Sequence, residues 1–368
     1  MNHYTNNQYT KKDKIIMDKN RERMLVKGNE AIAIGALDAG VECYFAYPIT
    51  PQSDIPEYLS RELVKLGGEF VQAESELASI NMVLGAAACG KRAMTSSSSP
   101  GISLKQEGIS YMAGSELPAV IVNITRGGPG LGGIQPSQGD YFQATRGGGH
   151  GDYRTMVLAP STCQECYDLT IEAFDLAFKY RNPVLILGDA ILGQMKEPIT
   201  RWKQRTIDPD EANEWKLTGK KGREQRILKS LFLGDGEMEE HNMKLWKKYK
   251  SMEQDLKWEE FSVEDAEVVA VAFGSIGRIA KSSARKLREM GYKVGVFRPI
   301  TLFPFPYESL RKLAMSGKRF ITIENNTGQM VEDVKLALCG ITDTEFFANM
   351  PGKVSTPEDF IEPIKKMF

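Results

Sequence analysis

Short apolar runs alternate with longer amphipathic stretches along most of this chain, from Gly28 onward. A buried parallel strand has a continuous apolar sequence, and the connection to the next parallel strand is usually a helix. The alternation therefore predicts an α/β fold, with a doubly wound parallel sheet that carries helices on both faces. The runs that we interpret as strands of this sheet are residues 43–47, 70–72, 93–95, 119–124, 155–158 and 184–187.

A charged segment divides the chain into two α/β units. Between residues 201 and 262, Trp and Pro are scattered among charged side chains, and we interpret this stretch as a connector. We predict one domain over residues 25–200 and a second over residues 263–368, which opens with the apolar run 268–273. Residues 1–24 are rich in Asn and Lys and lack the apolar core of a secretory signal, so we predict a disordered tail.

Charge and cysteine content limit the classes of function. The 47 basic and 48 acidic residues nearly cancel, so no long-range field would attract nucleic acid or an anionic membrane. No apolar run approaches the ~20 residues that a membrane-spanning helix requires. The five cysteines are an odd number and lie mostly in apolar patterns, which suits reduced thiols in the cytoplasm. We expect a cytoplasmic protein that binds small molecules and other proteins.

The segment 47–51 (Tyr-Pro-Ile-Thr-Pro) places the hydroxyl of Thr50 between two prolines, where a predicted strand ends. The carboxyl edge of a parallel sheet is where α/β proteins bind ligands, so Thr50 is a candidate ligand contact. Taken alone, such a segment is more often a proline-rich turn without a ligand.

Glu76 lies in the first turn of a predicted helix whose following residues are almost all small or apolar. A carboxylate there is either an ordinary first-turn acid, favoured by the helix dipole, or a buried acid with a chemical role. A buried carboxylate can hydrogen-bond a heterocyclic nitrogen and change its protonation. Glu74 is a competing candidate in a more exposed position.

Arg126 follows a predicted strand and enters a glycine-rich loop. Its guanidinium can pair bidentately with a carboxylate ligand, or it can be a structural group that binds loop carbonyls. Both roles remain open at this point. The residues that follow, 132–153, form a long glycine-rich segment, and long loops in compact domains are usually functional.

Several other motifs fail to support a cofactor or metal site on this chain. Residues 274–277 lack the third glycine of the dinucleotide-binding fingerprint, and the pair Cys163 and Cys166 has no second CxxC to complete a cluster or zinc site. Residues 234–236 (Gly-Asp-Gly) resemble the start of the thiamine-diphosphate metal motif, but no Asn follows at the required spacing. We therefore predict a tight turn there and no metal site.

Four segments, in this order, resemble the alpha subunit of 2-oxoacid:ferredoxin oxidoreductases: 47–51, 74–76, 95–101 and 125–130. The resemblance extends from about residue 28 to residue 347. The stretch 134–140 (Ile-Gln-Pro-Ser-Gln-Gly-Asp) looks most like the branch of this family that acts on 3-methyl-2-oxobutanoate, also called 2-ketoisovalerate.

The resemblance implies half of a composite active site. Residues 25–200 would bind the aminopyrimidine of thiamine diphosphate, and residues 263–368 would resemble the transketolase C-terminal domain. A separate beta subunit would carry the diphosphate and Mg²⁺ site, and gamma and ferredoxin-like subunits would carry the iron–sulfur clusters. Such a complex decarboxylates a 2-oxoacid, transfers the acyl group to coenzyme A and passes electrons to ferredoxin.

The resemblance also assigns residues. Glu76 would be the catalytic glutamate that hydrogen-bonds ring nitrogen N1′ and promotes loss of the thiazolium C2 proton. Thr50 and Arg126 would orient the substrate carboxylate, while Ser99 and Gly101 would contact the cofactor.

Two alternatives from other classes remain. The chain can be a non-catalytic docking or regulatory subunit of such a complex, or a self-sufficient thiamine enzyme of the transketolase type. Within the family, 2-oxoglutarate or pyruvate are alternative substrates.

Overall fold

The structure, a computed structural model, describes residues 22–202, 208 and 210–368. Most of the predicted tail, residues 1–21, lies outside the described residues. The last three residues assigned to that tail instead begin a strand, β1 (Glu22–Lys27), which pairs antiparallel with β8 (Lys196–Arg201). This pairing is favoured because the β1 residue Val26 is buried in the hydrophobic core.

The first sheet has seven strands in the spatial order β12-β6-β7-β5-β4-β2-β3. Its neighbouring strands are parallel except at one edge, where β12 is antiparallel to β6. The predicted doubly wound α/β architecture is thereby confirmed. The strands are β2 (Cys43–Ala46), β3 (Glu69–Gln72), β4 (Ala93–Ser97), β5 (Ala119–Thr125), β6 (Met156–Leu158), β7 (Pro183–Asp189) and β12 (Thr301–Phe303).

Helices cover both faces of this sheet. Along β5, Val120 and Val122 belong to one core cluster and Ala119 and Ile121 belong to another, because successive side chains of a strand point to opposite faces. Ser75 caps the third helix, its Oγ accepting a hydrogen bond from the backbone N–H of Ala78 at 3.1 Å. The helices are α1 (Gly28–Asp38), α2 (Asp54–Glu62), α3 (Glu76–Ala88), α4 (Pro100–Gly114), α5 (Tyr141–Arg146), α6 (Cys163–Tyr180) and α7 (Ala190–Gln194), with a short 3₁₀ helix at Val64–Leu66.

The second sheet has five strands in the order β14-β13-β10-β11-β9. All neighbouring pairs are parallel except β9, which runs antiparallel to β11. The strands are β9 (Trp258–Phe261), β10 (Val268–Val271), β11 (Val294–Pro299), β13 (Arg319–Glu324) and β14 (Thr344–Ala348). The helices that accompany it are α9 (Gly274–Glu289), α10 (Tyr307–Ala314), α11 (Met330–Leu338) and α12 (Glu358–Lys365). The preceding helix α8 (Glu237–Ser251) and the 3₁₀ helix at Met252–Asp255 pack into the core of the first unit through Leu245, Tyr249 and Met252.

The predicted connector, residues 201–262, differs from the structure at its end. Its last residues form β9, and charged side chains there make partly buried ion pairs. Glu259 of β9 pairs with Arg298 at 2.7 Å and with Lys281 at 2.5 Å. Arg298, which is 1% exposed, also pairs with Glu165 of α6 at 2.6 Å, so ion pairs join the two units.

Within the described residues, no helix combines the length and apolar composition that crossing a lipid bilayer requires.

Candidate functional site

The candidate site lies at the carboxyl edge of the first sheet. Strands β2, β4 and β5 are hydrogen-bonded neighbours there, so the loops that follow them meet. These loops carry Thr50, Ser99 and Arg126. Gly101 lies in the first turn of α4, and Glu76 begins the helix that follows the adjacent edge strand, β3. Loops at the carboxyl edge of a parallel sheet are the usual ligand-binding positions in this fold class.

Glu76 is buried at the start of α3. The residue is 7% exposed, and its carboxylate makes no hydrogen bond or ion pair with any described residue. An ordinary first-turn acid would be well exposed to water, whereas this residue is mostly buried and its carboxylate has no hydrogen-bond partner among the described residues. The geometry therefore favours the buried-acid interpretation. Glu74, the competing candidate, is exposed.

Gly101 allows the N-terminus of α4 to approach Glu76 closely. A Cβ atom at this position would lie 2.8 Å from Glu76 Oε1 and would overlap the hydroxyl of Ser97, so any larger residue would displace the carboxylate. The hydroxyls of Ser97 and Ser98 are buried and have no hydrogen-bond partner among the described residues. Buried polar groups without partners in the chain are what a polar heterocycle would satisfy, so the residues around Glu76 fit the aminopyrimidine of thiamine diphosphate.

Arg126 is 9% exposed and holds two loops together. Its Nη1 donates to the backbone carbonyl of Thr50 at 3.0 Å, and its Nη2 donates to the carbonyl of Leu131 at 3.1 Å. Its Nε is buried without a partner among the described residues. The structural role is therefore present, and it uses only part of the five N–H donors of the guanidinium.

Ser99 connects the loop after β4 to the loop after β5. The backbone N–H of Arg126 donates to Ser99 Oγ at 3.0 Å, and the N–H of Ser99 donates to Asn123 Oδ1 at 3.0 Å. Ser99 has a φ of 21°, which is uncommon for a residue other than glycine and marks a backbone conformation imposed by its surroundings. Such conformations cluster at ligand-binding sites.

Thr50 lies at the rim. Its side chain is exposed and makes no hydrogen bond to a described residue, while its carbonyl is fixed by Arg126. The structure thus places Thr50, Ser99 and Arg126 in one hydrogen-bonded network and Glu76 against Gly101. Residues 97–101 connect the two groups.

Asn123 and Asp140 are functional candidates that the sequence analysis missed. Asn123 Nδ2 donates to Asp140 Oδ2 at 2.9 Å, and burial raises the pKa of Asp140 above its usual value, although hydrogen bonds from Ser99 and Asn123 oppose this effect. The available signal was an amide inside the otherwise apolar strand β5. A polar residue within an apolar run departs from strand patterning and indicates a hydrogen-bond partner elsewhere in the chain.

The CxxC pair and the Gly-Asp-Gly segment lie in surroundings that do not suggest ligand binding. Cys163 and Cys166 are both buried, with Cys163 Sγ donating to the carbonyl of Met195 at 3.4 Å. The residues 234–236 precede α8, and Gly236 adopts a left-handed conformation with φ of 77° at its start. Among the described residues, no three His, Cys, Asp or Glu side chains are grouped to hold a metal ion.

Two family sequence profiles match consecutive parts of the chain. Residues 34–261 match pyruvate flavodoxin/ferredoxin oxidoreductase, thiamine diphosphate-binding, and residues 266–360 match pyruvate:ferredoxin oxidoreductase core domain II. The chain is 52% identical over 344 residues to the ketoisovalerate oxidoreductase subunit VorB of Methanothermobacter thermautotrophicus, covering 93% of this chain and 97% of that protein. It is 38% identical over 348 residues to the 2-oxoglutarate synthase subunit KorA of Archaeoglobus fulgidus, covering 94% and 99%.

Two solved structures are similar in fold. The 2-oxoglutarate:ferredoxin oxidoreductase from Magnetococcus marinus, with 2-oxoglutarate, coenzyme A and succinyl-CoA bound, aligns with a TM-score of 0.82 and 28% identity over 94% of this chain. The chain spans 65% of the length of that protein. A split-gene transketolase, in an inactive beta4 tetramer, aligns with a TM-score of 0.59 at 14% identity over 93% of this chain and 97% of that one, which shows a shared fold only.

The family predicted from the four sequence segments is confirmed by these profiles and relatives. Both its thiamine-diphosphate-binding domain and its core domain II are present in this chain, in the order that the two α/β units follow. The chain therefore belongs to the 2-oxoacid:ferredoxin oxidoreductases, as an alpha subunit that carries the thiamine-diphosphate-binding domain.

Proposed function

We propose that this chain supplies the pyrimidine side of the cofactor site in a branched-chain 2-oxoacid:ferredoxin oxidoreductase, which converts the 2-oxoacid to an acyl-CoA. The predicted domain over residues 25–200 binds the aminopyrimidine ring, and Glu76 is the catalytic residue. The observation that carries this proposal is the buried carboxylate of Glu76, which has no partner among the described residues. A mostly buried carboxylate is stabilised by a hydrogen-bond donor, and a protonated ring nitrogen supplies one.

Thiamine diphosphate, when bound, supplies a carbon nucleophile for the 2-oxo group and accepts the electrons left by decarboxylation. Glu76 contributes general acid–base chemistry by holding a proton at N1′ of the pyrimidine ring. Gly101 leaves room for the Glu76 carboxylate, because any side chain there would collide with Glu76 and with the Ser97 hydroxyl. Ser99 shapes the same wall through its bonds to Arg126 and Asn123.

Arg126 and Thr50 orient the substrate carboxylate in this proposal. The free donors of the Arg126 guanidinium can pair with a carboxylate while Nη1 and Nη2 keep the Thr50 and Leu131 carbonyls in place. The exposed hydroxyl of Thr50 adds a neutral hydrogen bond at the rim. A fixed guanidinium gives the substrate one orientation, which is the positional contribution to catalysis.

Partner chains complete the site. The Gly-Asp-Gly at 234–236 lacks the downstream Asn of the metal motif, which supports a beta subunit as the source of the diphosphate and Mg²⁺ site. We infer that gamma and ferredoxin-like subunits hold the iron–sulfur clusters, and that ferredoxin and coenzyme A are the acceptors. The complex would work in the cytoplasm, where the free thiols of this chain stay reduced.

The substrate proposal rests on the relatives. Identity is 52% to a ketoisovalerate oxidoreductase subunit and 38% to a 2-oxoglutarate synthase subunit, each over more than nine tenths of this chain. This difference supports 3-methyl-2-oxobutanoate over 2-oxoglutarate.

The test is a substrate panel on the complex copurified with its native partners. Ferredoxin reduction that depends on thiamine diphosphate and coenzyme A should show the highest kcat/KM with 3-methyl-2-oxobutanoate. The margin over pyruvate and 2-oxoglutarate should be at least about tenfold. An apolar pocket discriminates by about this factor against the missing methyl groups of pyruvate, and it disfavours the second carboxylate of 2-oxoglutarate. The isolated chain should show no activity. A preference for 2-oxoglutarate would overturn the substrate, and full activity of the isolated chain would overturn the composite site.

A further inference from the structure

Lys105 is a fully buried lysine that the proposed chemistry leaves without a role. It lies on α4, its relative exposure is 0%, and Nζ donates to Ser79 Oγ and to Thr95 Oγ1, both at 2.6 Å. Among the described residues, no carboxylate lies within ion-pair distance of this ammonium. A buried cation without a paired anion is costly, so its presence requires an explanation.

The hydrogen bonds of Lys105 lead to Glu76. Ser79, which accepts from Nζ, lies one turn after Glu76 on α3 and donates from its Oγ to the Glu76 backbone carbonyl at 2.8 Å. Thr95, the second acceptor, lies in β4. Lys105 therefore joins three elements, and the helix turn that carries the candidate catalytic carboxylate is one of them.

The electrostatic surroundings of Lys105 also centre on Glu76. Burial lowers the pKa of Lys105 to about 7, and the negative charge of Glu76 opposes this shift. On the elements packed against α4, the strands β4 and β5 carry no ionisable side chain, and Asp189 at the end of β7 is bonded to Ser275. The ionisable residues of α4 itself, Glu107 and Tyr111, are exposed.

We propose that Lys105 is a positioning residue for Glu76, which holds the first turn of α3 against β4 and balances the buried negative charge of the carboxylate. The inference rests on the proposed function, because the charge of Glu76 needs a compensating cation most when a pyrimidine ring covers it. Opposite charges favour the ionised form of both groups even without direct contact, and their mutual effect is strongest where water is excluded. Lys105 touches neither substrate nor cofactor in this role.

The chain contains a matched control in Lys248. It lies on α8, is also largely buried, and burial likewise lowers its pKa, to about 8. Its carboxylate neighbour is Glu116, 3.5 Å away, and Nζ donates to the carbonyl of Arg181 at 3.2 Å. Removal of Lys248 therefore perturbs a buried lysine without altering the surroundings of Glu76.

The first test is a double-mutant cycle on the full chain without cofactor, read out by urea unfolding. The effects of Lys105→Met and Glu76→Gln on the unfolding equilibrium constant should be non-additive. The double variant should unfold less readily, by about fivefold or more, than the product of the two single effects predicts. Lys248→Met and Glu76→Gln should be additive. Additive effects in both cycles would overturn the inference.

The second test is the pH profile of thiamine C2 proton exchange in the reconstituted complex. In Lys105→Met, the acid limb should move about one unit to higher pH, because a carboxylate without its neighbouring cation is harder to keep ionised. Lys105→Gln keeps hydrogen-bonding capacity and loses the charge, so it should show the same shift. It replaces Lys105→Met in this test if Lys105→Met does not assemble into the complex. Lys248→Met should leave the profile unchanged.

These outcomes separate the inference from the proposed function. Normal exchange in a Glu76→Gln complex would remove the catalytic role of Glu76. The role of Lys105 alone would be overturned if exchange is impaired in Glu76→Gln but the pH profiles of the Lys105 variants superimpose on that of the parent. It would also be overturned if Lys248→Met shifts the profile as much as the Lys105 variants do.

Discussion

The carboxyl edges of the two sheets differ in whether a buried carboxylate has hydrogen-bond partners within the chain. At the second sheet, Glu324 ends β13 and is fully buried, and its carboxylate accepts from Asn326 Nδ2 at 2.9 Å and from the N–H groups of Met330 at 2.8 Å and Val331 at 2.9 Å. At the first sheet, the Glu76 carboxylate has no partner among the described residues. A buried acid that the chain itself satisfies has a structural role, whereas one without a partner in the chain is a candidate ligand contact.

The second domain also contacts the loop that borders the candidate site at the first sheet. The side chain of Gln138, in the loop that follows Arg126, donates to the carbonyl of Phe273 at 3.0 Å and accepts from the N–H of Asn325 at 3.0 Å. The second domain thereby fixes the loop that borders the candidate site. Ligand sites at domain boundaries gain their preorganised shape from contacts of this kind.

Replacement of the unsatisfied acid should give the largest effect. Glu76→Gln in the reconstituted complex keeps the shape of the side chain and removes its charge, so turnover should fall by about 10² to 10⁴, the range of general acid–base assistance. The loss should appear in thiamine C2 proton exchange, the earliest step. Glu74→Gln is the matched control, because Glu74 is exposed two residues away. Normal exchange in both variants would remove the thiamine role of this helix.

Replacement of the satisfied acid should affect stability instead. Glu324→Gln places an NH₂ group against the N–H donors at the start of α11, and the free energy of unfolding should fall by about 2 to 3 kcal/mol, the value of charged hydrogen bonds. Urea unfolding measures this loss, and C2 proton exchange of the assembled complex should stay close to the parent rate. A stable Glu324→Gln variant with impaired exchange would break the contrast between the two edges.

Arg126→Ala should lower kcat/KM for the 2-oxoacid at least tenfold, since a hydrogen bond to a charged group is worth about 1.5 to 3 kcal/mol. Cofactor affinity should stay nearly intact. Arg126→Lys, which keeps the charge but lacks the planar fork, should recover only part of the loss. The readouts are steady-state kinetics with varied 2-oxoacid and a cofactor titration. An unchanged kcat/KM in Arg126→Ala would place the carboxylate site elsewhere and leave Arg126 with its loop-binding role.

Much of the fold followed from patterns that depend on local sequence. The alternation of apolar and amphipathic stretches predicted the first sheet, because the side-chain periods of strands and helices are set by residues close in sequence. Two edge strands were not predictable: β12, which joins the first sheet from the second predicted domain, and β9, which joins the second sheet from the predicted connector. β9 is rich in charge because Glu259 pairs with Arg298, a contact between residues distant in sequence. The three residues of β12 are too few to show a period.

The site was partly predictable for the same reason. Sequence position identified Glu76 and Arg126 as candidates, but burial alone separates an ordinary first-turn acid from an unpartnered one. The loop-binding role of Arg126 depends on the carbonyls of Thr50 and Leu131, which lie in other parts of the chain. Lys105 gave no sequence signal, because a lysine on an amphipathic helix is normally assigned to the solvated face.

The smallest predicted effect concerns Thr50, where a structural and a chemical contribution can be separated within one residue. Its carbonyl accepts from Arg126 at 3.0 Å, and this bond does not depend on the side chain. Its hydroxyl is exposed and free of partners among the described residues. Thr50→Val keeps the shape and removes only the hydroxyl, so kcat/KM should fall about two- to tenfold, the value of one neutral hydrogen bond.

Thr50→Ser is the control, since it keeps the hydroxyl and should remain near the parent rate. Unfolding in urea should be unchanged for both variants, because exposed substitutions away from caps and cores usually alter stability by less than about 0.5 kcal/mol. Parent-like kinetics in Thr50→Val would mean that Thr50 serves the site only through its carbonyl. The role of Thr50 would then be structural, and Arg126 would bind the substrate carboxylate without a hydrogen bond from the Thr50 hydroxyl.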